Sequence, residues 1–213
     1  YSVSGACMAS AQITGRSANE GACAQICRSY FTVEADEAGP ATLSPLGRGS
    51  KKAWFFSMSD LFGGATIREL DAIGIESVKV EGRMKGPLYT RAAAQYYRAL
   101  IDGKDDVGTL EDALAIAFSR RQTGGWLAGY GRERQDFSIR TTPTLGSISY
   151  PGHRGLMAAT VIADDERGVW AESERPLSLR DGLLYFTPGD NEPVEAVRFG
   201  IKALWDEEGK PVT

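Results

Sequence analysis

A chain of 213 residues has room for one large domain or two small ones. Its 42% hydrophobic and 24% charged residues are ordinary for a globular protein and exclude disorder as the default. A formal charge of −4 argues against a broad basic surface for nucleic acid, though it leaves room for a local patch. No apolar run approaches the roughly 18 residues of a membrane span. No charged-then-apolar signal opens the chain either.

Residues 1–50 are rich in Gly, Ala and Ser and show little periodicity. The chain starts at Tyr1, in mid-pattern, and closes on a turn-like Gly209-Lys210-Pro211. It therefore reads as a piece of a longer protein. All three cysteines, Cys7, Cys23 and Cys27, fall within this first segment. An odd count does not close a disulfide framework. The clustering suggests a site for a soft metal, either zinc or an iron–sulfur cluster. The gaps of fifteen and three residues match no common zinc ribbon. Three reduced thiols packed as small hydrophobes are the alternative.

The apolar run at 53–58 predicts a buried strand. Thr66 followed by Glu69 reads as a capping box opening a helix, with Ile67, Leu70 and Ile73 inward and Gly74 as the stop. Residues 75–80 alternate as the next strand. Pro87 fits the first turn of a helix in which Tyr89, Ala92, Ala93, Tyr96, Tyr97 and Leu100 recur at helical spacing. A further helix is expected over 109–121, with Leu110, Leu114, Ala117 and Phe118 inward. Strand–helix–strand–helix is the grammar of a parallel α/β sheet or barrel. Two such units cannot close an eight-stranded barrel, so the rest would come from upstream or from a second copy.

From about Leu145 the texture changes to short apolar runs separated by turns, which suggests a small β-barrel. The expected fold is thus α/β plus all-β. Residues 1–134 would form the C-terminal part of a TIM-like (β/α) barrel with its Cys-rich segment. Residues 135–213 would form a small accessory β-barrel. His153, the single histidine, reads as an exposed loop residue.

Along 75–83, Lys79 and Glu81 share one face of an alternating segment, opposite Val78 and Val80. If helices covered the valines, Lys79 and Glu81 would point into the barrel, at the strand end where active sites of this architecture lie. Asp60 ends the preceding strand in the same way. Beside Arg83, Glu81 could position a polar substrate or take part in proton transfer. A structural ion pair between Glu81 and Arg83 is the alternative. The sequence contains no HExxH or GxSxG motif and no Cys–His pair with an orienting third group, so a hydrolase triad has no support.

Three stretches together resemble the collagenase-like peptidase family U32. They are Gly5-Ala6-Cys7 with Gly15 through Arg28, Ser57-Met58-Ser59-Asp60-Leu61, and above all Gly74 through Pro87 with its Val80-Glu81-Gly82-Arg83. The family label implies proteolysis without defined catalytic residues. Other members are hydroxylases that need no oxygen gas and act on tRNA or rRNA bases or on ubiquinone. For the RNA enzymes the resemblance implies prephenate as the oxygen source. It further implies a 4Fe-4S cluster with Cys7, Cys23 and Cys27 as three of four ligands, the fourth falling just before Tyr1. Glu81 and Arg83 match the family's Glu-Gly-Arg. Phe62 departs from it, since many members carry Cys there. The partners implied are tRNA or rRNA, a quinone or a peptide, and the location implied is the cytoplasm.

Overall fold

The computed structural model describes residues 7–34, 50–82, 85–127, 146–147, 149–166, 168–173, 175–185 and 196–212. A short helix α1 (Ala9–Thr14) and a 3-10 turn (Ile26–Arg28) open it. An antiparallel hairpin of β1 (Phe31–Glu34) and β2 (Ser50–Ala53) follows. Strand β3 (Asp60–Leu61) then leads into three helices, α2 (Thr66–Ala72), α3 (Pro87–Ile101) and α4 (Gly108–Ala117). The helices return the chain to β4 (Gln122–Thr123), which lies parallel to β3 with Asp60 opposite Gln122. Parallel neighbours need such a crossover, and here all three helices form it.

Helix α3 follows from its sequence. Pro87 sits at the start, where its missing N–H costs nothing. Ala92, Ala93, Tyr96, Ala99 and Leu100 then recur every three or four residues and are all buried. All but Ala99 meet Ile67 of α2 and Leu114 of α4 in one core cluster. The Phe62 ring stacks on Tyr96 at 5.5 Å, and Tyr97 meets Tyr96 edge-on at 5.1 Å. Arg68 fastens the far end of α3. Its Nε donates to the Leu100 carbonyl at 3.3 Å and its Nη1 reaches Asp105 at 2.9 Å, placing a cation where the helix exposes carbonyls.

Four expectations need correction. Thr66 is the first residue of α2 and not its cap; Ala65 precedes it, and no side chain caps the helix. The run at 53–58 is not a strand. Ala53 ends β2, a turn follows, and Met58 makes a single bridge to Gly146. Residues 75–80 join no ladder, and Val78 and Val80 are 40% and 46% exposed, so no helix covers them. The helix expected over 109–121 stops at Ala117, where Phe118 turns to extended backbone.

Two hairpins make up the β-rich part: β5 (Thr160–Asp165) with β6 (Gly168–Glu172), and β7 (Gly182–Tyr185) with β8 (Val197–Gly200). The apolar runs read from the sequence beyond residue 156 meet these strands, whereas the run opening at Leu145 shows, among the described residues, only the bridge from Gly146 to Met58. Each hairpin is a separate two-stranded sheet among the described residues. The boundary expected near 135–144 lies outside the described residues.

Candidate functional site

The β3–β4 pairing builds the site. The Asp60 amide donates to the Arg121 carbonyl at 2.8 Å, and the Phe62 amide donates to Thr123 at 2.9 Å. This register leaves Arg120 two residues before Gln122, the partner of Asp60, with its side chain on the Asp60 carboxylate. The Arg120 Nε lies 2.9 and 3.0 Å from the two carboxylate oxygens, and its Nη2 joins the first of them. The pair is only 20% and 28% exposed on the two side chains, so it sits half out of water in a two-point fork.

Two more cations converge here from distant parts of the chain. Arg28, at the end of the 3-10 turn, donates through Nη1 to Ser57 Oγ at 2.6 Å and to the Met58 carbonyl at 2.8 Å. Its partners are neutral. The Lys85 Nζ stands 3.0 Å from the centre of the Phe118 ring, and the Arg120 guanidinium lies 5.4 Å from the same centre. Phe118 also stacks on His153 at 5.2 Å. Burial pulls the Arg28 pKa down, and the charge of Arg120 pulls it further, with Cys27 and Asp60 opposing. Lys85 is lowered by burial and by Arg120, and Asp60 opposes this. Tyr89 is pushed up by burial and by Asp60.

The other residues singled out in the sequence fall around this centre. Lys79 and Glu81 form an ion pair of 3.0 Å on an exposed segment, so alternation placed them on one side even without a ladder. The Glu81 carbonyl accepts from the Tyr89 hydroxyl at 3.2 Å, and Tyr89 meets Phe118 edge-on. This ties the Glu81 backbone to the edge of the site. Gly82 is required there, because a Cβ would stand 2.3 Å from the Tyr89 ring. Arg83 lies outside the described residues.

Cys7, Cys23 and Cys27 are unpaired thiols, each partly exposed. Ser10 holds their segments together: its hydroxyl donates to the Arg16 carbonyl at 2.7 Å and accepts from the Ala24 amide at 2.9 Å. Among the described residues no group of three or more His, Cys, Asp or Glu side chains is arranged to hold a metal ion. As placed, the three thiols do not form a cluster-binding group.

His153 corrects an expectation. It is half-buried, with Nδ1 2.9 Å from both the amide and the carbonyl of Ser119. Arg28, Lys85, Phe118 and Arg120 were not singled out from their chemistry in the sequence. The one available signal was Arg28 and Lys85 standing inside the family-like stretches.

A family model described as peptidase family U32 matches residues 1–136. The chain belongs to this family. Among U32 relatives, a collagenase of Porphyromonas gingivalis is 31% identical over 134 residues, covering 60% of this chain and 31% of the relative. The 23S rRNA 5-hydroxycytidine C2501 synthase of Escherichia coli is 34% identical over 182 residues, covering 84% of the chain and 27% of the relative. The tRNA hydroxylation protein P1 of Bacillus subtilis is 37% identical over 216 residues, covering 97% of the chain and 48% of the relative. The chain thus spans from about a quarter to about half the length of these relatives. No solved structure matches it significantly.

Proposed function

We propose that this chain is part of an RNA-modifying U32 protein that hydroxylates a nucleobase. The observation that carries this reading is the reach of the similarity. The collagenases align over 60% and 62% of the chain, whereas the rRNA synthase and the Bacillus tRNA protein align over 84% and 97%. The latter two therefore extend past residue 136, where the family match ends, into the β-rich part. The proposal includes the expected architecture, a partial (β/α) barrel followed by a small β-barrel. The parallel β3–β4 pair with its helical crossover supports the first half.

Base hydroxylation replaces C–H by C–OH, a two-electron oxidation; in this proposal prephenate gives up the oxygen and a separate two-electron acceptor of the full-length protein takes the electrons, with the displaced hydrogen leaving as a proton. Within the chain, Asp60 and Glu81 are assigned to handling protons, with Lys79 and Arg83 orienting the substrate. Asp60 is supported by its place among Arg28, Lys85 and Arg120. The reading also assigns Cys7, Cys23 and Cys27 to an iron–sulfur cluster in the full-length protein, on thiolate chemistry alone.

The test is nucleoside mass spectrometry of RNA from cells lacking the full-length gene. A hydroxylated base should disappear with the gene, return with the wild type and fail to return with Cys23→Ala, which should also lose iron. An unchanged nucleoside profile together with gelatin cleavage by the purified protein would replace this reading with the peptidase one.

A further inference from the structure

The charges around Asp60 do not balance. Arg28, Lys85 and Arg120 contribute three positive charges, and Asp60 is the one carboxylate that acts on all of them among the described residues. Arg120 takes both carboxylate oxygens, so among the described residues the remaining two cations find only neutral partners. Arg28 binds a hydroxyl and a carbonyl, and Lys85 rests on a ring. Holding like charges together while half removed from water is costly unless an anion completes the set. Surface cations scattered over a helix escape this cost by pointing apart. These three are instead gathered at one place: Lys85 and Arg120 both lie over the Phe118 ring, and Arg28 is bound to the Met58 carbonyl, two residues from Asp60.

We propose that Arg28, Lys85 and Arg120 form a subsite for one oxyanion, a phosphate or carboxylate group, with Asp60 orienting the Arg120 fork. A guanidinium presents paired donors suited to such a group, and the ammonium adds a point charge that can swing off the ring to meet it. The partly exposed side chains leave a way in. The oxyanion has two possible sources, the backbone of an RNA strand or a small carboxylic acid. The charge count makes no use of the RNA reading, so the subsite stands if that reading falls.

The experiment is calorimetric titration of the 213-residue chain with inorganic phosphate, malonate and a 5′-phosphorylated ribodinucleotide. Saturable binding of at least one probe is expected, with affinity about tenfold weaker in Lys85→Gln and in Arg28→Gln. Lys202→Gln, an exposed lysine on another part of the chain, should bind as the wild type does. Tighter binding of the dinucleotide than of free phosphate marks the RNA backbone as the source; preference for malonate marks a small acid. The proposal is overturned if no probe saturates, or if Lys85→Gln, verified as folded by circular dichroism, binds as tightly as the wild type. Because binding needs no turnover, loss of the RNA reading would leave this result untouched.

Discussion

Arg120 matters first through what it leaves behind. Without it, Asp60, whose side chain is 28% exposed beside Arg120, loses its two-point donor. Arg120→Ala should cost about 1–3 kcal/mol, the usual penalty for stranding a half-desolvated polar group. Urea unfolding of the variant should show this as a lower midpoint at unchanged slope. A second residue sets a limit at high pH. The Tyr96 hydroxyl donates to Glu111 at 3.1 Å inside the helical core, and burial, followed by the Glu111 charge, pushes its pKa well up. Above the ordinary tyrosine value of about 10, the unfolded chain loses a proton that the folded chain keeps. Stability present below that pH is therefore lost as pH rises, at up to about 1.4 kcal/mol per unit for this group. Tyr96→Phe should flatten part of the decline between pH 10 and 11 on thermal unfolding, a range that follows from the ordinary tyrosine value of about 10. Burial also raises Tyr89 and Tyr97, so some slope should persist.

Among the elements, helix ends are where the local chemistry was plainest. Gly74 closes α2 at φ +86°, in the left-handed region, and its amide returns to the Asp71 carbonyl at 2.9 Å. Nothing crowds the position where a Cβ would stand, so the cost of Gly74→Ala is purely conformational, about 1–2 kcal/mol. Chemical denaturation of that single variant measures it. Gly74, Pro87 and the Ala/Tyr periodicity of α3 could be read without a structure because each acts within one or two turns of chain. The β5 and β6 runs are readable for the same reason, as short apolar runs separated by a tight turn. Residues 75–80 show the converse. Their Val and Ile alternation says only that a strand would suit them, and a strand also needs a neighbour to bond with, which no local pattern supplies. The site was hidden for a stronger reason. Arg28, Asp60 and Arg120 meet across 92 positions of sequence, through a parallel pairing only two residues long. Nothing in the residues around Arg120 says which carboxylate it will face.

At the scale of the molecule, the α/β and β-rich parts are joined more by side chains and single backbone bonds than by a shared sheet. The Ser147 amide donates to the Ser57 carbonyl at 2.7 Å, and the Arg154 amide donates to the Ser119 carbonyl at 2.7 Å. Ser119 Oγ lies 3.1 Å from the Gly155 carbonyl across the two parts, and 3.1 Å from the Ala115 carbonyl within its own. Arg175 and Asp112 add an ion pair whose side chains are 45% and 38% exposed. Asp112→Ala should therefore change the thermal midpoint little, by less than about 1 kcal/mol in stability. The weight falls on residues 146–147 and 153–155, which belong to the β-rich part by sequence position yet bond to Ser57, Met58 and Ser119.

The stacking of His153 on Phe118 has a practical consequence for anyone dividing the protein. The backbone between Leu127 and Gly146 is the natural place to cut by sequence texture, but a cut there does not separate two bodies. The downstream piece would carry away the histidine that Ser119 grips and the backbone that meets Ser57 and Met58. A protease that nicks this stretch should leave two fragments that co-elute in gel filtration and part only in denaturant. Excising the tail beyond Gly155 would instead keep His153 on Phe118, and with it the wall behind Lys85.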